Sequence, residues 1–178
     1  MITESTSAGL LADADELADL LLTVVAGGSS VGFLATLTHA EAVTWWRGLA
    51  APLANGALTL WVARAEGRIV GTVQLRHGTM PNGTHRAEVA KLMVAPSARG
   101  WGVGRRLLDT AERGAARLGR TLLVLDTETG SPAENLYRSA GWTEVGRIPD
   151  FAADPGGALR PTTLFYKLAT AGTPPTVP

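Results

Sequence analysis

Three alternate glycines lie among three arginines in Arg99-Gly100-Trp101-Gly102-Val103-Gly104-Arg105-Arg106, and the segments flanking this turn constrain the fold more than any other stretch. Ahead of it, Ala87 to Val94 reads as a strand. Glu88, Ala90 and Leu92 alternate with Val89 and Lys91 until Leu92-Met93-Val94 runs apolar without a break. Such a lapse in the two-residue period marks either a β-bulge or burial of both faces. Behind the turn, Val103, Leu107, Leu108, Ala111, Ala115 and Leu118 recur at helical spacing, and Gly119 stands where a helix stops. Thr121 to Leu125 follows as a continuously apolar run. Strand, glycine turn, helix and buried strand make a βαβ unit, so the two strands are predicted to lie parallel with a right-handed crossover. The turn itself suits an anion. Glycines let backbone N–H groups approach a phosphate, and the first turn of a helix offers unpaired donors with partial positive charge.

The other segments extend this unit into a mixed α/β domain. Asp13 to Val25 reads as a helix broken by Gly27-Gly28-Ser29-Ser30, and a second helix is expected from His39 to Leu53. Leu58 to Arg64 and Ile69 to Arg76 are β-prone runs joined by the hairpin signal Ala65-Glu66-Gly67-Arg68. Ser131 is a candidate N-cap with Pro132 at the first helical position, Glu134 completing a capping box and Gly141 ending the helix. Trp142 to Ile148 and Thr162 to Leu168 are predicted as two last strands separated by a loop from Pro149 to Pro161. The chain of 178 residues is long enough for one domain with a real core, expected over residues 1–169, with 170–178 a disordered tail.

Composition removes several chemistries. With no cysteine, disulfides, thiol nucleophiles and cysteine metal sites are excluded, and His39, His77 and His85 match no metal spacing and read as surface or loop residues. No metal is expected. No window approaches the roughly 18 apolar residues of a membrane span. Met1 to Asp19 holds five acidic residues and no Lys or Arg, unlike a secretory leader, so a cytoplasmic protein without a membrane partner is expected. The formal net charge of zero gives no support to a nucleic-acid partner. Arg86 to Arg120 nevertheless carries eight basic residues against three acidic ones, which suits a small polyanion.

Two nucleotide sites fail on spacing. No Gly-Lys-Ser/Thr follows the glycines, which excludes a Walker loop, and Arg105 occupies the third glycine position that a dinucleotide turn requires. Arg99 to Gly104 does match, at every fixed position, the pattern Gln or Arg, two residues, Gly, one residue, Gly or Ala. Together with Leu92-Met93-Val94-Ala95-Pro96 before it and Asn135-Leu136-Tyr137-Arg138-Ser139-Ala140-Gly141-Trp142 after it, the chain resembles the GNAT superfamily of N-acetyltransferases. Within that superfamily the likeness is sharpest to enzymes that acetylate a small amino-acid-like toxin. It is carried by Gly27 to Phe33, Arg86 to Val94 and Leu125 to Ser131.

The resemblance implies a mixed, mostly antiparallel sheet with a central parallel pair that splays apart, flanked by helices. The family's first strand has only Met1 to Ser7 available to it. Acetyl-CoA is implied as co-substrate, in the gap between Ala87–Val94 and Thr121–Asp126. Backbone groups of Leu92, Met93 and Val94 would pair with the pantetheine arm. Arg99, Gly100, Trp101, Gly102, Val103, Gly104 and Arg105 would hold the pyrophosphate, and an N–H near Met93 would polarise the thioester carbonyl. Glu88 and Asp126 are the candidate bases for an acceptor amine, and Tyr137 the acid for the leaving thiolate. A carboxylate near its ordinary pKa of about 4 is a poor base at neutral pH unless burial or a second carboxylate raises it. The bland alternatives are a Glu88 salt bridge to Arg86 or Lys91, an Asp126 that caps the turn at Thr127 and Glu128, and a Tyr137 that only packs. Asn135 either contacts the pantetheine arm or faces solvent. Trp45 and Trp46 lie in the acceptor region with Gly27 to Phe33 and Phe151 to Pro161, although adjacent helical residues point apart, so at least one tryptophan is core. The expected partner is a small-molecule amine; another amine (aminoglycoside, polyamine or protein N-terminus), a non-catalytic CoA sensor and a homodimer stay open.

Overall fold

The computed structural model describes residues 1–169; the predicted tail, 170–178, lies outside the described residues. In chain order the elements are β1 (Ile2–Glu4), α1 (Ser7–Ala26), α2 (His39–Gly48), α3 (Ala50–Ala54), β2 (Leu58–Ala65), β3 (Arg68–His77), β4 (Arg86–Val94), α4 (Val103–Arg117), β5 (Leu122–Glu128), α5 (Pro132–Ser139), β6 (Thr143–Ala153) and β7 (Leu159–Leu168). The strands form one sheet in the order β1-β2-β3-β4-β5-β7-β6, antiparallel throughout except for the central pair β4 and β5. The predicted βαβ crossover through α4 is therefore present, and the first strand exists as a three-residue ribbon on β2. No helix among the described residues is long and apolar enough to cross a membrane.

Each face of the sheet carries its own core. On one face, α1 and α2 bury Leu10, Leu17, Leu21 and Trp46 against Leu60, Val62 and Met93. On the other, α4 buries Leu107, Leu108 and Ala111 with Val73, Leu75, Leu123 and Phe165, and α5 adds Tyr137. Gly114 sets the distance between α4 and the sheet. A Cβ there would lie 2.5 Å from Trp61 Cζ2, and the rigid indole has nowhere simple to go. We expect Gly114→Ala to destabilise the protein by about 1–2 kcal/mol in chemical denaturation, the overpacking cost outweighing the roughly 1 kcal/mol gained in helix propensity. A more stable variant would refute this.

Four expectations change. The helix predicted from Asp13 begins at Ser7, capped by Thr6, whose Oγ1 accepts from the Gly9 N–H at 3.1 Å. Its acids are mid-helix partners: Asp13 and Glu16 pair with Arg64 at 2.6 and 3.1 Å, and Glu16 also accepts from the Ile69 N–H, tying α1 to the β2–β3 hairpin. The helix predicted over His39–Leu53 splits into α2 and α3 at Leu49, because Pro52 has no N–H to give the Gly48 carbonyl. The predicted loop Pro149–Pro161 is largely ladder. β6 runs on to Ala153 and β7 begins at Leu159, with Pro149 and the left-handed Asp150 (φ 49°) absorbed in an irregularity between Ile148 and Ala152. Finally, His77 is not a loop residue but half-buried in β3, with Nε2 3.0 Å from Thr59 Oγ1.

Candidate active site

The site begins where the parallel pair comes apart. β4 and β5 are in register at Arg86–Leu122, Ala87–Leu123 and Glu88–Val124, and pairing then stops. On its other edge, β4 passes from Ala90 opposite Gln74 to Met93 opposite Thr72, three residues against two. This is the bulge that the broken alternation allowed for. Lys91 takes the left-handed conformation (φ 49°), and its carbonyl accepts from Thr72 Oγ1 at 3.0 Å. The extra residue bends β4 away from β5 and leaves Leu92, Met93 and Val94 without a β5 partner.

The glycine turn completes the gap. After a single 3₁₀ turn at Pro96–Ala98, the N-cap of α4 is Gly102 in the left-handed region (φ 72°), where it supplies no capping side chain. The first intrahelical bond runs from the Arg106 N–H to the Gly102 carbonyl at 3.1 Å, so the N–H groups of Val103, Gly104 and Arg105 precede the helical ladder as anion donors. A Cβ on Gly104 would meet Leu136 Cδ2 and Val94 Cγ2 at 3.6 Å, an ordinary contact, which explains why the pattern admits Gly or Ala there. Arg99, Gly100 and Trp101 are exposed around this turn, and Arg105 pairs with Asp109 at 3.1 Å. Arg113 donates to Thr110 at 3.3 Å. A cavity of about 380 Å³ adjoins this turn, lined by Trp101, Val103 and Arg106 together with Ile2 of β1 and Ala63 and Arg64 of β2.

The candidate acid and bases sit on the elements that border the splay, Tyr137 on α5, Asp126 near the end of β5 and Glu88 at the last paired position of β4. Tyr137 is buried on α5, its ring centroid 6.0 Å from those of both Trp142 and Phe165. Burial pushes its phenol above the usual tyrosine range, and the Asp126 charge pushes it further. Asp126 is exposed at the splayed part of β5 and accepts from Thr162 Oγ1 at 3.0 Å, rather than capping the turn after it. Glu88 is half-buried and 3.6 Å from Arg76, its neighbour across β3, not from Arg86 or Lys91. Asn135 is exposed on α5, open to either role proposed for it.

Lys91 is the residue that sequence reasoning passed over as a salt-bridge partner. Its ammonium lies 5.6 Å from the ring centroids of both Phe33 and Trp45, which meet edge to face at 5.1 Å. Trp46 is fully buried in the core, so of the adjacent pair it is Trp45 that turns toward the site. Two residues beyond Gly27–Phe33, the Ala35 N–H donates to the Pro155 carbonyl at 2.9 Å and so ties the α1–α2 connection to the β6–β7 turn. Among the described residues no cluster of His, Cys, Asp and Glu is placed to hold a metal.

A splayed parallel pair with a β-bulge, leading into a helix capped by a left-handed glycine, is the architecture of an acyl-CoA-binding transferase. The acetyltransferase (GNAT) domain family matches residues 56–144, and the chain belongs to that family. An IAA acetyltransferase of Azospirillum brasilense is 34% identical over 104 residues, which are 58% of this chain and 66% of that one, so the chain spans just under two thirds of that relative's length. The fold is shared with a ribosomal-protein-alanine N-acetyltransferase from Brucella melitensis, at TM-score 0.76 and 23% identity over 94% of this chain and 99% of the other. It is shared equally with a Salmonella typhimurium protein solved with its cofactor acetyl-CoA, at TM-score 0.75 and 18% identity over 98% and 96%.

Proposed function

We propose that residues 1–169 act as one acetyltransferase domain that transfers the acetyl group of acetyl-CoA to the amino group of a small amino-acid-like molecule. The observation that carries this reading is the Lys91 bulge, which frees the backbone of Leu92, Met93 and Val94 directly ahead of the uncapped first turn of α4. When bound, acetyl-CoA supplies an acetyl group activated as a thioester. The backbone of Leu92, Met93 and Val94, unpaired on its β5 side, is suited to the pantetheine amides. The N–H groups at the start of α4, with Arg99, Gly100, Trp101 and Arg105 around them, are suited to the pyrophosphate. Glu88 or Asp126 takes the proton that an acceptor ammonium must lose before its nitrogen lone pair can bond to the acetyl carbon. As the C–S bond breaks, the Tyr137 phenol donates a proton to the sulfur and recovers one from the nitrogen that becomes the amide. A cytoplasmic place of action suits this co-substrate.

Within the family, Gly27 to Phe33, Arg86 to Val94 and Leu125 to Ser131 resemble the tabtoxin resistance protein, which makes tabtoxinine-β-lactam the first acceptor to assay. Release of free CoA thiol is to be followed with that compound, amino acids, aminoglycosides, polyamines and N-terminal peptides. We expect at least one amine to raise the rate above background hydrolysis; none doing so would leave a CoA-binding sensor. Glu88→Gln and Asp126→Asn then rank the bases. The carboxylate that matters is the one whose loss lowers kcat by about 10²-fold and flattens the pH profile, whereas two unchanged profiles would remove both.

A further inference from the structure

The face of the sheet under α1 and α2 brings charges of both signs together at the splay. Arg76 and Glu88 are cross-strand partners, Lys91 follows on the bulge, and Asp126 projects from β5 beyond Val124. Lys91 is packed there against groups that form no bond to its charge. Phe33 and Trp45 flank its ammonium, and the α1–α2 loop presses on it so closely that a Cβ on Gly32 would lie 3.2 Å from Nζ. Among the described residues its Nζ makes no hydrogen bond and no ion pair. Desolvation, and after it the Arg76 charge, push its pKa below the usual lysine range, while Glu88 and Asp126 pull it back only in part. A half-buried ammonium short of oxygen partners gains more from an incoming anion than a solvated one does. Fully buried Gln74 lies opposite Ala90 at the start of the bulge with neither amide atom partnered.

We infer that Lys91, with Arg76 beside it, anchors a carboxylate of the acceptor, and that the acceptor is therefore a zwitterionic amino-acid-type amine and not a polycation. This rests on the acetyltransferase reading above. The acceptor's amine must lie by Glu88 or Asp126 to lose its proton, and its carboxylate then falls toward the cations on the same face. A polyamine or aminoglycoside in that place meets the Lys91 ammonium, which no carboxylate of the described residues pairs, and this selects against it.

The test compares amino acids with the amines left when their carboxylate is removed, alongside spermidine and kanamycin. It uses kcat/KM for acetylation and calorimetric affinity in the presence of CoA, for the native protein, Lys91→Met and Lys91→Arg. The native protein is expected to prefer the carboxylated member by about ten- to a hundredfold, the scale of one charge-assisted hydrogen bond. Lys91→Met is expected to abolish that preference mainly through KM, with acetyl-CoA affinity retained, and Lys91→Arg to restore most of it. Equal or better use of the decarboxylated amines or polycations would overturn the inference, as would a Lys91→Met loss shared equally by both members of each pair. Acetylation of Lys91 itself, seen by peptide mass, would also overturn it by making the residue a nucleophile. If no amine supports thiol release the proposed activity fails separately, and the calorimetric preference alone then decides the anchor.

Discussion

Tyr137→Phe lowers kcat by about 10²- to 10⁴-fold and leaves acetyl-CoA affinity nearly unchanged, the effect expected of a lost general acid. The substitution removes one oxygen from a ring whose packing against Trp142 and Phe165 is otherwise retained, so the fold is undisturbed. A phenol pushed above its ordinary range by burial, and further by Asp126, is protonated at neutral pH, so it can donate. It is a weaker acid than a free phenol. The same dry surroundings, however, destabilise a thiolate forming beside it and raise that sulfur's demand for a proton. Single-turnover measurements with a saturating amine separate this chemical step from binding. An unchanged rate would return Tyr137 to the role of a packing residue.

Glu134→Ala is expected to have the largest effect on stability, about 2–4 kcal/mol at neutral pH, because it leaves the Gly130 N–H and the buried Thr163 hydroxyl without their acceptor, each such loss costing about 1–3 kcal/mol. Glu134 is 5% exposed and accepts from the Gly130 N–H at 2.8 Å, Arg138 at 2.9 Å and Thr163 Oγ1 at 2.8 Å. The Arg138 bond above all, helped by Thr163 and Gly130 against the cost of burial, holds its carboxyl at about 2 instead of 4.5. Since the folded pKa lies below the unfolded one, the carboxylate's contribution is complete above 4.5 and is lost as pH falls toward 2. Chemical denaturation across that range should show the stability gap between the native protein and Glu134→Gln narrowing as pH falls. A gap independent of pH would mean that shape, not charge, is what Glu134 supplies. The network also matters to the site: it pins the first turn of α5 to β7, and α5 carries Tyr137 and Asn135.

This same residue marks the boundary of what the sequence reveals. Ser131-Pro132-Ala133-Glu134 announced a helix start, and α5 does begin at Pro132, yet Ser131 caps nothing. Its hydroxyl lies 3.2 Å from Thr127 Oγ1, while Glu134 bonds the Gly130 N–H, Arg138 one turn on in its own helix, and Thr163 on β7. Local spacing named the element but not the partners, because Thr163 lies 29 residues further along. Glu88 shows the same limit. Its ion-pair candidates were chosen within its own strand, while the actual partner, Arg76, belongs to the neighbouring strand and is selected by register.

What the sequence alone determined is the part governed by periodicity and backbone chemistry: the βαβ unit, the glycine turn at the start of α4, the interrupted alternation of β4 and the family they belong to. Those signals are local, since a helix stripe, a strand alternation or a glycine requirement is complete within a few residues. Only the tertiary structure decided that the interruption is a bulge with Lys91 at its apex. It also decided that Trp45 and not Trp46 faces the site, and that cations and carboxylates share one face at the splay. Those facts depend on strand register and on loops brought together from residues far apart in the chain, and a one-residue change of register would move every such side chain to the opposite face.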